Sequence, residues 1–135
     1  MEYRSVASIC PYCGAGCGLY LEVLDGAIVG VLPRKSSPVN QGGLCIKGWN
    51  AHAFVGHAER LTQPLIRHEG KLEPASWEEA LDLTAERLGA LRATGSPDCL
   101  AVLASAKATN EENYLVQKFA RAVLGTNNLD HCARL

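Results

Sequence analysis

The sequence predicts a mixed chain, α+β passing into α/β. A small β-rich module occupies residues 1–58, and the beginning of an α/β domain follows over residues 59–135. Three observations carry this reading. Strand-period alternation flanks an Asp-Gly pair in the first part. Two capping-box helices bracket a short apolar run in the second. Glycine and cysteine concentrate before residue 50.

Taken in order, GLYLEVLDGAIVGVLP reads as a hairpin. Asp25 and Gly26 supply the positive φ angles of a tight turn. Leu19, Leu21 and Val23 alternate with Tyr20, Glu22 and Leu24, and Pro33 ends the second strand. RKSSPVNQGG is a loop marked by Pro38, Asn40, Gly42 and Gly43, and it runs into Cys45. After residue 60 the period changes. Ser76 and Glu79 form a capping box that opens a helix. Trp77, Leu81, Thr84, Leu88 and Leu91 fall on one stripe of it, with Glu78, Asp82 and Glu86 facing away. Thr94, Gly95, Ser96 and Pro97 stop it. LAVLAS, at 100–105, has the composition of a buried strand. Thr109 and Glu112 make a second capping box. The helix it opens carries Tyr114, Leu115, Phe119, Ala122 and Val123, and Gly125 terminates it. NNLDHCARL then approaches another strand or a functional loop. One strand and two helices cannot cover both faces of an α/β sheet, so this part reads as the start of a larger domain.

Composition narrows the function classes. With 135 residues, 47% hydrophobic and 20% charged, the chain has an ordinary globular balance. A formal net charge of −1 offers no field for nucleic acid. No apolar run reaches the roughly 18 residues of a membrane span. The N-terminus has neither a signal pattern nor a twin arginine, so a cytoplasmic location is expected.

The cysteines carry the chemistry. There are six, too many for chance use in a reducing compartment where structural disulfides are rare. Cys10-Pro-Tyr-Cys13-Gly-Ala-Gly-Cys17 puts three thiols on one tight loop, and Cys45 arrives later on a second glycine-rich loop. Three local ligands plus a distant one is a common 4Fe–4S pattern. Structural zinc more often takes two CxxC-type knuckles, although the spacing leaves that alternative open. Gly14, Gly16 and Gly18 let backbone wrap a cluster and leave N–H groups for its sulfurs. Lys47, two residues after Cys45, is either a solvated surface lysine or a cation beside an anionic cluster. Cys99 reads as a small core residue. His52, His57 and His68 lack ligand spacing. His131 and Cys132 are adjacent, and neighbours in sequence rarely face one another as a catalytic pair.

Five segments, CPYCGAGCGLYLEV, PVNQGGLCIKG, RLTQPLIR, GKLEPASWEEALD and TNEENYLVQKFARAVLGTNNLDHCARL, resemble the N-terminal part of molybdenum- or tungsten-dependent formate dehydrogenases. These are members of the molybdopterin oxidoreductase superfamily. The resemblance spans the chain in order. It implies that Cys10, Cys13, Cys17 and Cys45 ligate the 4Fe–4S cluster and that Lys47 relays electrons between cluster and pterin. It implies a molybdopterin guanine dinucleotide cofactor with Mo or W in the full-length subunit, formate and carbon dioxide as substrate and product, and an electron-accepting iron–sulfur or nicotinamide-linked partner subunit. A stand-alone 4Fe–4S electron-transfer protein and a structural zinc module are the alternatives.

In the resembled family the counterpart of CARL is followed at once by the metal-ligating selenocysteine or cysteine, then a histidine. This sequence stops after Leu135. The expectation is therefore an N-terminal fragment of a selenocysteine enzyme, with no catalytic residue of its own and no activity alone.

Overall fold

The computed structural model describes residues 1–132. The expectation attached to the stop after Leu135 falls on residues outside those described. Along the chain run β1 (Tyr3–Ile9), β2 (Gly18–Leu24), β3 (Ala27–Pro33), α1 (Ile46–Trp49), β4 (Leu65–His68), β5 (Lys71–Pro74), α2 (Trp77–Thr94), β6 (Val102–Ser105), α3 (Asn110–Lys118) and β7 (Leu129–Cys132). The mixed α+β class expected from the sequence is what the chain adopts.

The chain divides into two compact units. Of the described residues, one comprises Met1–Arg60, Ala104–Leu115 and 131–132; the other comprises Leu61–Leu103 and Val116–Asp130. The first holds an antiparallel sheet in the order β1-β2-β3. The expected hairpin is β2–β3, turning on Asp25 (φ 47°) and Gly26 (φ 85°). Strand β1 pairs along the full length of β2, from Tyr3 with Leu24 to Ile9 with Gly18. The sequence did not reveal it, because nearly all of its residues face solvent and no apolar face alternates. Under the sheet lies a small core of Cys10, Leu19, Val31 and Ala51, with Tyr12, Cys17, Leu21 and Leu44 packed against it. Leu19 is only 1% exposed, and its burial contributes roughly 1.5–3 kcal/mol.

In the second unit β4 and β5 form a hairpin on Glu69 (φ 47°) and Gly70 (φ 86°). Glu-Gly is a weaker turn signal than Asn-Gly or Asp-Gly, and the hairpin was not expected. Helix α2 begins as expected. Ser76 Oγ accepts from the Glu79 N–H at 3.2 Å, and the Glu79 carboxylate accepts from the Ser76 N–H at 2.8 Å. Its apolar stripe is not core, however: Trp77 is 67% exposed and no residue of α2 is buried. The strand at 100–105 shortens to β6, and Leu103 is 82% exposed rather than buried on both sides. Among the described residues it pairs with β7 alone. The Val102 N–H donates to the Asn128 carbonyl and the Ala106 N–H to the Cys132 carbonyl. Both partners advance together, so the pair is parallel. Helix α3 opens with the second capping box, the Thr109 N–H donating to Glu112 at 2.6 Å and the Glu112 N–H to Thr109 Oγ1 at 3.2 Å. It relaxes into a π-helical stretch, Phe119–Leu124, and Gly125 (φ 75°) ends it.

The Ser76 N–H and hydroxyl hold the Glu79 carboxyl below its ordinary value. A group with a depressed folded pKa stabilises fully above its unfolded pKa, and the effect fades as pH falls through the folded value. E79A is therefore expected to weaken α2 at neutral pH and to match the wild type in strong acid. S76A should lower stability by about 1 kcal/mol. Urea unfolding followed by circular dichroism at several pH values checks both, and a pH-independent E79A difference would contradict the assignment.

Candidate metal centre

Residues 10–17 are the connection between β1 and β2, because Ile9 pairs with Gly18 directly below them. Three of the candidate cysteines ride on this one loop. The Cys10 N–H donates to the Cys17 carbonyl at 2.8 Å and closes it, and the Gly16 N–H reaches the Cys13 carbonyl at 3.4 Å. Gly16 sits at φ 67°, which L side chains rarely adopt. Tyr12 leaves the loop to meet Phe54 edge-on, ring centroids 6.0 Å apart, and the Arg60 guanidinium lies over the far ring at 5.1 Å. On the other flank, Asn110 Nδ2 donates to the Gly14 carbonyl at 2.9 Å, and a side chain at position 14 would collide with Asn110 Oδ1.

The Cys45 segment is brought to the same place by Asn40. The Gly18 N–H donates to Asn40 Oδ1 at 2.8 Å. Asn40 Nδ2 donates to the Gly18 carbonyl at 3.1 Å and to the Gly43 carbonyl at 2.7 Å. Gly18 adjoins Cys17, and Gly43 lies two residues before Cys45. The Gly18 carbonyl also accepts the Arg34 N–H at 3.1 Å. A Cβ on Gly18 would stand 2.8 Å from that of buried Ser37, so no larger residue fits there. Cys45 then precedes α1, its carbonyl accepting the Trp49 N–H at 3.1 Å.

The four thiols differ in environment. Cys10 is in the core, 6% exposed; Cys13 and Cys17 are half-buried; Cys45 is exposed. Burial pushes the Cys10 thiol up; the Tyr12 N–H offsets part of this, and Cys17, Cys13 and Cys45 add their repulsion. Cys45 is held low by the N–H groups of Gly48 and Lys47, with the Lys47 ammonium assisting. Lys47 is half-buried, and among the described residues its ammonium makes no ion pair. All four sulfurs thus lie within electrostatic reach of Cys10. Among the described residues, however, no three His, Cys, Asp or Glu side chains converge tightly enough to hold a single ion. By chemistry, four cysteine thiols are the donor set that a 4Fe–4S centre takes.

The remaining candidates have other surroundings. Cys99 is exposed on a 3₁₀ turn before β6, its Sγ 3.5 Å from the Leu91 carbonyl, and is not the core residue expected. His131 and Cys132 are consecutive on β7, where successive side chains point to opposite faces. His52 Nδ1 is buried without a partner, and His57 Nδ1 accepts the Glu59 N–H at 3.2 Å. No helix among the described residues is long and apolar enough to cross a membrane. Asn110 was not singled out from the sequence, and Asn40 was read only as a turn marker. The available signal was its place between the glycines flanking Cys17 and those preceding Cys45.

Two family models match the chain: the molybdopterin oxidoreductase Fe4S4 domain over residues 3–57 and molybdopterin oxidoreductase over residues 60–135. F420-dependent formate dehydrogenase 1 subunit alpha of Methanococcus maripaludis is 52% identical over 135 residues, all of this chain and 19% of that protein. The F420-dependent formate dehydrogenase subunit alpha of Methanocaldococcus jannaschii is 47% identical over the same span, again 19% of its length. Formate dehydrogenase H of Escherichia coli is 45% identical over 139 aligned residues, 98% of this chain and 19% of that protein. The chain spans about a fifth of the length of these relatives.

Thiolate, not thiol, reacts with alkylating agents. In metal-free protein Cys45 is therefore expected to label at lower pH than Cys10, which is both raised and buried. Iodoacetamide labelling across a pH series, read by mass spectrometry, checks this. Equal or reversed order would contradict the hydrogen-bonding pattern around Cys45.

Proposed function

The chain belongs to the molybdopterin oxidoreductase family, and from that premise we propose that it is the cluster-binding N-terminal part of a formate dehydrogenase catalytic subunit. The family carries an iron–sulfur cluster and a molybdopterin cofactor. The observation that carries the reading is the gathering of Cys10, Cys13, Cys17 and Cys45 around one loop that the family's Fe4S4 domain covers. Formate enters the proposal because all three relatives are named for it.

In this reading residues 1–58 are the cluster module and residues 59–135 begin the pterin-binding domain. The exposed part of the α2 stripe, Trp77 at 67% and Leu81 at 61%, supports the second assignment. When bound, the two cofactors supply the redox chemistry, two electrons at the pterin-held Mo or W and single-electron transfer at the cluster. The chain's own residues do the holding and tuning. The four cysteines supply thiolates. Leu19, Val31 and Ala51 keep water from the Cys10 side. Lys47 sets a cation beside Cys45, where it favours the added negative charge of a reduced cluster and stands on the route to the pterin. Electrons would leave to an iron–sulfur or nicotinamide-linked partner. A cytoplasmic location belongs to the same proposal, since a reducing compartment keeps such thiols available. A zinc module is the poorer fit. Structural zinc more often takes two CxxC-type pairs than three cysteines on one loop with a distant fourth.

Two experiments on anaerobically purified protein test this. C10S, C13S, C17S and C45S should each lose iron and labile sulfide, while C99S and C132S keep the wild-type content. Retention of the full cluster by any of the first four would remove that residue from the ligand set. In the full-length enzyme, K47A should keep its iron yet oxidise formate at least about tenfold more slowly. Undiminished turnover would remove Lys47 from the electron route.

A further inference from the structure

Asn40 is half-buried, and its carboxamide uses both ends. Oδ1 accepts from the Gly18 N–H, and Nδ2 donates to the Gly18 and Gly43 carbonyls. One planar group therefore ties the residue after Cys17 to the segment that delivers Cys45. Among the described residues no other side-chain hydrogen bond joins the cysteine loop to the Cys45 segment. The geometry needs an amide. An aspartate would keep the acceptor but set a carboxylate against two carbonyl oxygens, and an alanine would remove all three bonds.

We propose that Asn40 is a positioning residue: it fixes the spacing between the three-cysteine loop and Cys45, and through that spacing sets how firmly the cluster is held and at what potential it is reduced. The inference rests on the cluster reading above. Its physical basis is that groups behind the ligands orient the ligands and the N–H groups around the sulfurs, which tune an iron–sulfur centre. A turn-forming asparagine with no such role would affect stability alone.

The test compares wild type, N40A, N40D and S76A, all prepared anaerobically. S76A removes a helix cap far from the cysteines in sequence and serves as the control for lost stability. Three quantities are read: iron release to a chelator, the cluster's midpoint potential by redox-titrated EPR, and amide hydrogen exchange at Gly18 in metal-free protein. N40A and N40D are expected to release iron at least about tenfold faster than wild type, with a displaced midpoint potential. S76A should match wild type in both. Exchange at Gly18 should quicken in N40A, whose acceptor is gone. Wild-type iron release and potential in N40A would overturn the proposal. A wild-type protein that holds no iron would instead overturn the cluster reading. Gly18 exchange then decides the clamp by itself: quickened in N40A supports it, unchanged overturns it.

Discussion

The antiparallel pairing of Ile9 with Gly18 is the constraint on which the cysteine site depends. It places Cys10 and Cys17 side by side at the end of two strands, close enough for the 2.8 Å bond that closes the loop. With the ends fixed, Cys13 must lie at the bend, and Gly16 takes the one left-handed angle the bend requires. Leu19, next along β2, turns inward to form the core on which Cys10 rests. A one-residue slip of β1 against β2 would turn the side chains of β1 to the other face and separate Cys10 from Cys17. Ligand placement and core packing are thus consequences of the same register.

Electrostatics explains why such a site suits a cationic centre. Two unit charges about 6 Å apart at an effective dielectric of about 20 repel by roughly 3 kcal/mol. Four thiolates make several such pairs, so full ionisation without a compensating cation would cost more than a small sheet can supply. Burial first, and then the other three cysteines, push the Cys10 thiol up. Cys45 is the exception, since N–H groups and Lys47 already favour its thiolate.

Much of this was legible in the sequence, for identifiable reasons. The Asp25-Gly26 turn and both capping boxes rest on local backbone chemistry, and local chemistry survives in the fold. The cysteine spacing likewise put three thiols on one tight loop, which is the β1–β2 connection. What sequence could not show was non-local. Strand β1 has no buried face to generate a period, so its pairing with β2 left no signal. Asn40 and Asn110 act across gaps in the chain, the latter bonding Gly14 from 96 positions away. Periodicity misled where it was taken as burial. Trp77 and Leu81 lie on a genuine helical stripe, and Leu103 on a genuine strand, yet all three are exposed among the described residues.

Mössbauer spectroscopy of iron-57-enriched protein, purified without oxygen and paired with iron and labile-sulfide analysis, tests the central claim most directly. The account predicts about four iron and four sulfide per chain, with the quadrupole doublet of a cubane cluster that becomes paramagnetic on one-electron reduction. A single zinc ion per chain with no labile sulfide would contradict it.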